Sequence, residues 1–109
     1  MNSQVNGYLG LARRGGKLLL GENALTPKNA TKIKLLIIAH DLSPRTEKTV
    51  MNYGEFHAIP LLNYLTKATL GPIIGAKNVG VMALTCRHLS SQIISLLMKE
   101  GEAYGQKEN

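Results

Sequence analysis

Cysteine, aromatic residues and acids are all scarce in this chain. Its 109 residues include one cysteine, no tryptophan and only 5% aromatic side chains. A single thiol, Cys86, excludes an internal disulfide and suits a reducing compartment, so a cytoplasmic location is expected. No apolar run approaches the ~18 residues a membrane span requires, which argues against a membrane partner. The start, Met1-Asn2-Ser3-Gln4, has neither the basic nor the apolar region of a secretory signal. Metal-ligating groups are sparse too. Cys86 and His88 stand two apart, but His40 and His57 are scattered, and no spacing suggests a tetrahedral shell. Neither a metal nor a cofactor is expected.

Catalysis is also disfavoured. Two glycine–lysine stretches resemble phosphate loops, and both fail. Gly10 to Lys17 has an extra glycine, with Leu18 where a magnesium-holding Ser or Thr belongs; Gly71 to Lys77 has the wrong spacing and is followed by Asn78. His40 and Asp41 are neighbours at a strand end, where side chains diverge. Cys86 with His88 reads as a small thiol at the end of a strand. The chain is therefore read as a non-enzyme with no small-molecule substrate. An enzyme acting on a small anion is the weakest alternative.

Positive charge is what remains. Thirteen Lys and Arg stand against seven acids, giving +6 and a pI near 9.7. The excess is lopsided, because residues 1–50 hold eight of the cations and only three of the acids. This is the electrostatic footprint of a protein that binds nucleic acid or another acidic surface. Lys17, Lys28 and Lys32 are the candidates for a phosphate-facing surface.

The hydrophobic pattern predicts alternating helices and strands. Val5, Tyr8, Leu9 and Ala12 recur at helical spacing over about residues 3–14, with Gly15 as the left-handed cap. Lys17 to Leu20 reads as a short strand. Gly21-Glu22-Asn23 turns into a second helix that starts near Asn23, or restarts with Thr26 as cap and Pro27 in the first position. Residues 35–39 do not alternate, as in a strand covered on both faces. Ser43 and Pro44 open a third helix that Gly54 stops near Tyr53. His57 to Leu62 reads as a strand kept at an edge by Pro60. Thr66 caps a short helix over residues 67–75, Val79 to Thr85 is the last strand, and Leu89, Ile93, Leu96 and Leu97 give a closing helix. The expectation is a three-layer α/β/α sandwich with about four strands. It forms one domain over residues 1–100, with a polar tail over 101–109. Asp41, at the carboxyl end of the central strand, marks where open α/β sheets place binding sites.

Taken in order, Leu9-Gly10-Leu11-Ala12-Arg13-Arg14-Gly15-Gly16-Lys17, Gly21-Glu22-Asn23, Leu35 to Asp41, and Leu70-Gly71 with Gly75 resemble a known group. The chain is similar to the ribosomal-protein family of L-seven-Ae and L-thirty-e type, and within it to the small bacterial YlxQ-type members. The resemblance covers about residues 5–98. It implies the same sandwich fold and non-catalytic binding of structured RNA such as kink-turns, in association with the ribosome. The implied contacts are the start of the second helix and a loop after Gly75. Gly21 and Asn23 match the family's Gly-x-Asn-Glu signature, with Glu22 beside them. Ala24 stands in place of the signature Glu, and Pro27 in place of its Lys, followed by Lys28. In the second loop, Lys77 is placed to meet a phosphate and Val79 to pack on a sugar or base. Backbone N–H groups at a helix start suit phosphates, and an Asn amide suits a base edge. The departures at Ala24 and Pro27 fall on the reading surface, so the alternative is a protein–protein adaptor that has lost kink-turn recognition.

Overall fold

The side-chain oxygen of Asn2 accepts hydrogen bonds from the backbone N–H groups of Gln4 (2.9 Å) and Val5 (3.0 Å) and so starts the first helix. The computed structural model describes residues 2–99, and α1 runs Ser3–Arg14. Its stripe of Val5, Leu9 and Ala12 is buried, as the spacing predicts. The left-handed cap falls on Gly16 (φ 70°) rather than on Gly15 (φ −87°). Lys17 N–H reaches the Ala12 carbonyl at 2.8 Å and Gly16 N–H the Arg13 carbonyl at 3.2 Å. These paired bonds put the left-handed residue one place after the cap.

Strands β1 (Leu18–Leu20), β2 (Leu35–Ile38), β3 (Leu61–Asn63) and β4 (Val81–Leu84) form one mixed sheet in the order β1-β4-β2-β3. β4 is antiparallel to both β1 and β2, whereas β2 and β3 are parallel. Every residue of β2 and β4 is buried, as expected of strands covered on both faces. β3 is an edge strand, as Pro60 suggested, but it begins at Leu61 rather than His57. Helix α2 spans Pro44–Phe56 and uses up the intervening chain. Gly54 does not stop that helix; it lies inside it, where a Cβ would stand 3.3 Å from Leu36 Cδ1. The stop comes at Ala58 (φ 56°), where Ile59 N–H closes on the Gly54 carbonyl at 2.8 Å.

Three layers result. Helix α1, α3 (Lys67–Ile73) and α4 (Arg87–Lys99) cover one face of the sheet, around Leu35, Ile37, Met82 and Leu84. Helix α2 covers the other, with Val50 packed among Leu36, Ile38, Leu61 and Ala83. Tyr64 is 1% exposed and ties α1 to the sheet, its hydroxyl donating to Asn6 Oδ1 at 2.6 Å.

The expected second helix does not form. Between β1 and β2 the chain makes two single-turn 3-10 helices, Glu22–Ala24 and Asn29–Thr31. Pro27 removes a donor, Thr26 and Thr31 are β-branched, and Asn29 turns its side chain on the backbone, donating Nδ2–H to the Ala24 carbonyl at 2.8 Å. Thr26 does act as a cap, with Oγ1 accepting from Asn29 N–H at 3.1 Å, but only a short turn follows. Leu25 and Ile33 contribute to the α2-side core, and the Tyr53 hydroxyl donates to the Thr26 carbonyl at 2.6 Å. The polar segment 101–109 lies outside the described residues.

Candidate nucleic-acid interface

The strand directions divide the molecule into two ends. Gly21, Asp41, Tyr64 and Gly80 follow or precede strands at one end, termed upper; Lys17, Lys34, Pro60 and Thr85 flank strands at the lower end. The Gly21–Asn23 turn and the loop of Lys77 and Asn78 therefore meet at the upper end. Gly21 N–H donates to the Val81 carbonyl at 2.9 Å, anchoring the turn to the strand that follows the loop. Gly21 adopts φ 84° and ψ 162°, a region open only to glycine. Its carbonyl then accepts from Ala24 N–H at 3.2 Å, which fixes Glu22 and Asn23 on the outside of the turn.

Asn23 is exposed, and among the described residues nothing hydrogen-bonds its side-chain amide. It is not a helix cap. Glu22 is exposed beside it. Because no α-helix follows, the phosphate-binding helix start inferred from the resemblance is absent. Side-chain amide and carboxylate groups are what this turn offers.

Lys77 and Asn78 are also exposed, on a loop held from behind by glycine. A Cβ on Gly71 would lie 2.7 Å from the Lys77 carbonyl carbon and 2.9 Å from Asn78 N, so the loop rests directly on α3. Val79 N–H donates to the Lys67 carbonyl at 3.2 Å. Two residues assigned to this surface serve the fold instead. The Val79 side chain is 8% exposed and belongs to the core, leaving it unavailable to a sugar or base. Asp41 Oδ1 accepts from Lys67 N–H at 2.9 Å and so holds the start of α3.

The three lysines singled out by charge are elsewhere. The Lys17 carbonyl pairs with Thr85 N–H at 3.0 Å at the lower end, and Lys32 lies two residues before Lys34, whose N–H reaches Leu84. Lys28 lies between the two ends, on the segment from Gly21 to Lys34, where Asn29 bonds back to Ala24 and the Tyr53 hydroxyl to Thr26. Lys28 and Lys32 do not share a helical face, since no helix runs through them. The residues first assigned to one RNA surface thus separate into an upper group (Gly21, Glu22, Asn23, Lys77) and a lower one (Lys17, Lys32), with Lys28 between them. Charge alone missed Asn78, and also missed Lys34 and Arg87. Lys34 directly precedes β2 and Arg87 opens α4 three residues after β4, and the two strands meet at that end.

Partial burial raises the Tyr53 phenol above its ordinary value near 10. Among the described residues no group of His, Cys, Asp and Glu is placed to hold a metal ion, and no helix is long and apolar enough to cross a membrane.

Comparison with known proteins agrees with this fold. The family model for the ribosomal protein L7Ae/L30e/S12e/Gadd45 family matches residues 3–94. The chain is 33% identical over 91 residues to the RNA-binding protein YlxQ of Bacillus subtilis (strain 168), covering 82% of this chain and 90% of that protein. It is 31% identical over 68 residues to the RNA-binding protein YlxQ of Enterococcus faecium, 62% of this chain and 66% of that one. A solved structure of a protein with unknown function from Bacillus halodurans C shares the fold, with a TM-score of 0.82 over 89% of this chain and 99% of that chain at 24% identity.

Proposed function

The chain belongs to the ribosomal protein L7Ae/L30e/S12e/Gadd45 family, and on that membership we propose that it binds structured RNA through the upper end of its sheet. The reading extends to kink-turn-like RNA, to association with the ribosome in the cytoplasm, and to binding without catalysis. One observation carries it: the Gly21–Asn23 turn and the Lys77–Asn78 loop converge on one surface with their polar groups free. A free amide at a rigid turn suits a base edge, and a nearby lysine suits the backbone beside it. Both YlxQ proteins are named as RNA-binding, and the positive charge of the chain favours the same class of partner.

A protein–protein adaptor is the second reading, and the missing helix between β1 and β2 favours it. RNA recovered on the tagged protein from a cell lysate, sequenced at two salt concentrations, separates the two. Enrichment of one structured RNA that weakens at high salt supports RNA binding. Recovery of protein alone at both salts supports the adaptor.

A further inference from the structure

The net positive charge of the molecule does not sit on the surface just described. At the upper end the loops and helix termini carry Arg45, Lys67, Lys77 and Lys99 against Glu22, Asp41 and Glu47, an excess of only one cation. The lower end gathers Arg13 and Arg14 from the last turn of α1, Lys17 before β1, Lys32 and Lys34 before β2, and Arg87 at the start of α4. Glu55, in the last turn of α2, is the one carboxylate at that end among the described residues. None of the six cations is paired with a carboxylate there, and all but Lys34 are exposed. Lys34 is half-buried, its Nζ donating to the Thr31 carbonyl at 3.4 Å.

An aromatic side chain stands at the same end. Phe56 is 83% exposed and packs edge-on against His57 at 4.8 Å. His57 rests on Tyr53 at 4.6 Å, whose hydroxyl is pinned to the Thr26 carbonyl. An outward ring backed by two others offers a surface on which an unpaired base stacks, and the cations at the same end suit a phosphodiester backbone. An acidic peptide would satisfy the cations and leave the ring unused. The two ends are also electrically separate. The four residues of β2 alone span about 13 Å at ~3.3 Å each, beyond the ~8 Å over which physiological salt screens charge.

We propose that the lower end is a second RNA-binding surface, with Lys17, Lys32, Lys34 and Arg87 on phosphates and Phe56 under an unpaired base. The protein then holds two RNA segments at once, one at each end of its sheet. The identity of the ligand as RNA rests on the function proposed above; the location of the surface does not.

The test is a bridging assay. A kink-turn RNA is immobilised, the protein is bound to it, and a labelled RNA hairpin with an unpaired loop is added. The wild type should retain the hairpin. The variant carrying Lys17→Gln, Lys32→Gln and Lys34→Gln should bind the immobilised RNA but retain about tenfold less hairpin, with a salt slope for the hairpin lower by about 2. Phe56→Ala should retain about tenfold less hairpin at an unchanged melting temperature. Hairpin retention by the triple variant equal to that of the wild type would overturn the proposal. So would failure of wild-type protein already held on the kink-turn RNA to retain any hairpin, or displacement of the hairpin by polyglutamate as readily as by RNA. Failure of the upper-end reading looks different: the immobilised RNA would then hold no protein, and protein tethered directly to the surface by a tag would take up the hairpin but not a labelled kink-turn RNA.

Discussion

Replacing Gly71 with alanine tests whether α3 positions the loop that carries Lys77. The added Cβ would lie 2.7 Å from both the carbonyl carbon and oxygen of Lys77, against an ordinary contact of 3.4 Å or more. The obstacle is backbone, so no side chain can rotate away, and the loop must retreat by about 0.7 Å. Overpacking of this kind costs about 1–3 kcal/mol. Alanine regains up to ~1 kcal/mol of helix propensity in α3. With the full gain, the net loss expected is about 0–2 kcal/mol, a fall in melting temperature of up to roughly 10 °C for a domain of this size. Gly7→Ala is the internal control. It lies on the exposed side of α1 with nothing within 4 Å of its Cβ, so it should stabilise by about 0.5–1 kcal/mol. Thermal unfolding followed by circular dichroism reads both. If Gly71→Ala raises the melting temperature as Gly7→Ala does, the loop does not rest on α3 and its role in positioning Lys77 is wrong.

Ile37 is fully buried in the middle of β2, so Ile37→Ala should lose ~2–5 kcal/mol in urea titration; a loss under ~1 kcal/mol would mean that β2 is not the central strand. Ala58 holds φ 56° at the end of α2, and Ala58→Gly should raise stability by up to about 1 kcal/mol in the same titration, while no gain would refute the strain. Tyr53 titrates at a raised value when folded, so the folded state keeps its proton longer than the unfolded state. Stability is then fully present below pH ~10 and declines as pH rises from there through the folded value. Tyr53→Phe should flatten that alkaline decline in melting temperature, and an unaltered profile would exclude Tyr53 as its source.

The layers of this fold were legible because hydrophobic spacing follows from geometry. Val5, Leu9 and Ala12 can face the sheet only from a helix, and a run like Leu35 to Ile38 is at home only between two covered faces. Element ends were less legible, since glycine was read as a stop. Gly54 continues α2 because its missing Cβ makes room for Leu36, whereas Ala58, a residue with no such signal, takes the left-handed cap. The segment from Gly21 to Lys34 was misread for a related reason. Its cap at Thr26 is genuine, but only a single turn follows Pro27. Residue pattern found the Gly21–Asn23 turn, yet grouping Lys17, Lys28 and Lys32 with it required knowing which strand ends lie together. Chain order does not contain that information; the antiparallel pairing of β4 with both β1 and β2 supplies it.

Asn23 decides whether the upper end reads RNA. Its amide is exposed and unbonded within the protein, so neither Asn23→Ser nor Asn23→Ala should change stability by more than about 0.5 kcal/mol. Paired amide contacts to bases in DNA are worth ~1–3 kcal/mol, and by analogy either substitution should weaken binding by about five- to 150-fold. The measurement is the dissociation constant of a kink-turn RNA for the wild type and both variants at one fixed salt concentration. Both variants are expected to melt with the wild type and to bind the RNA at least about fivefold more weakly. Wild-type affinity in both variants would contradict RNA reading at the upper end.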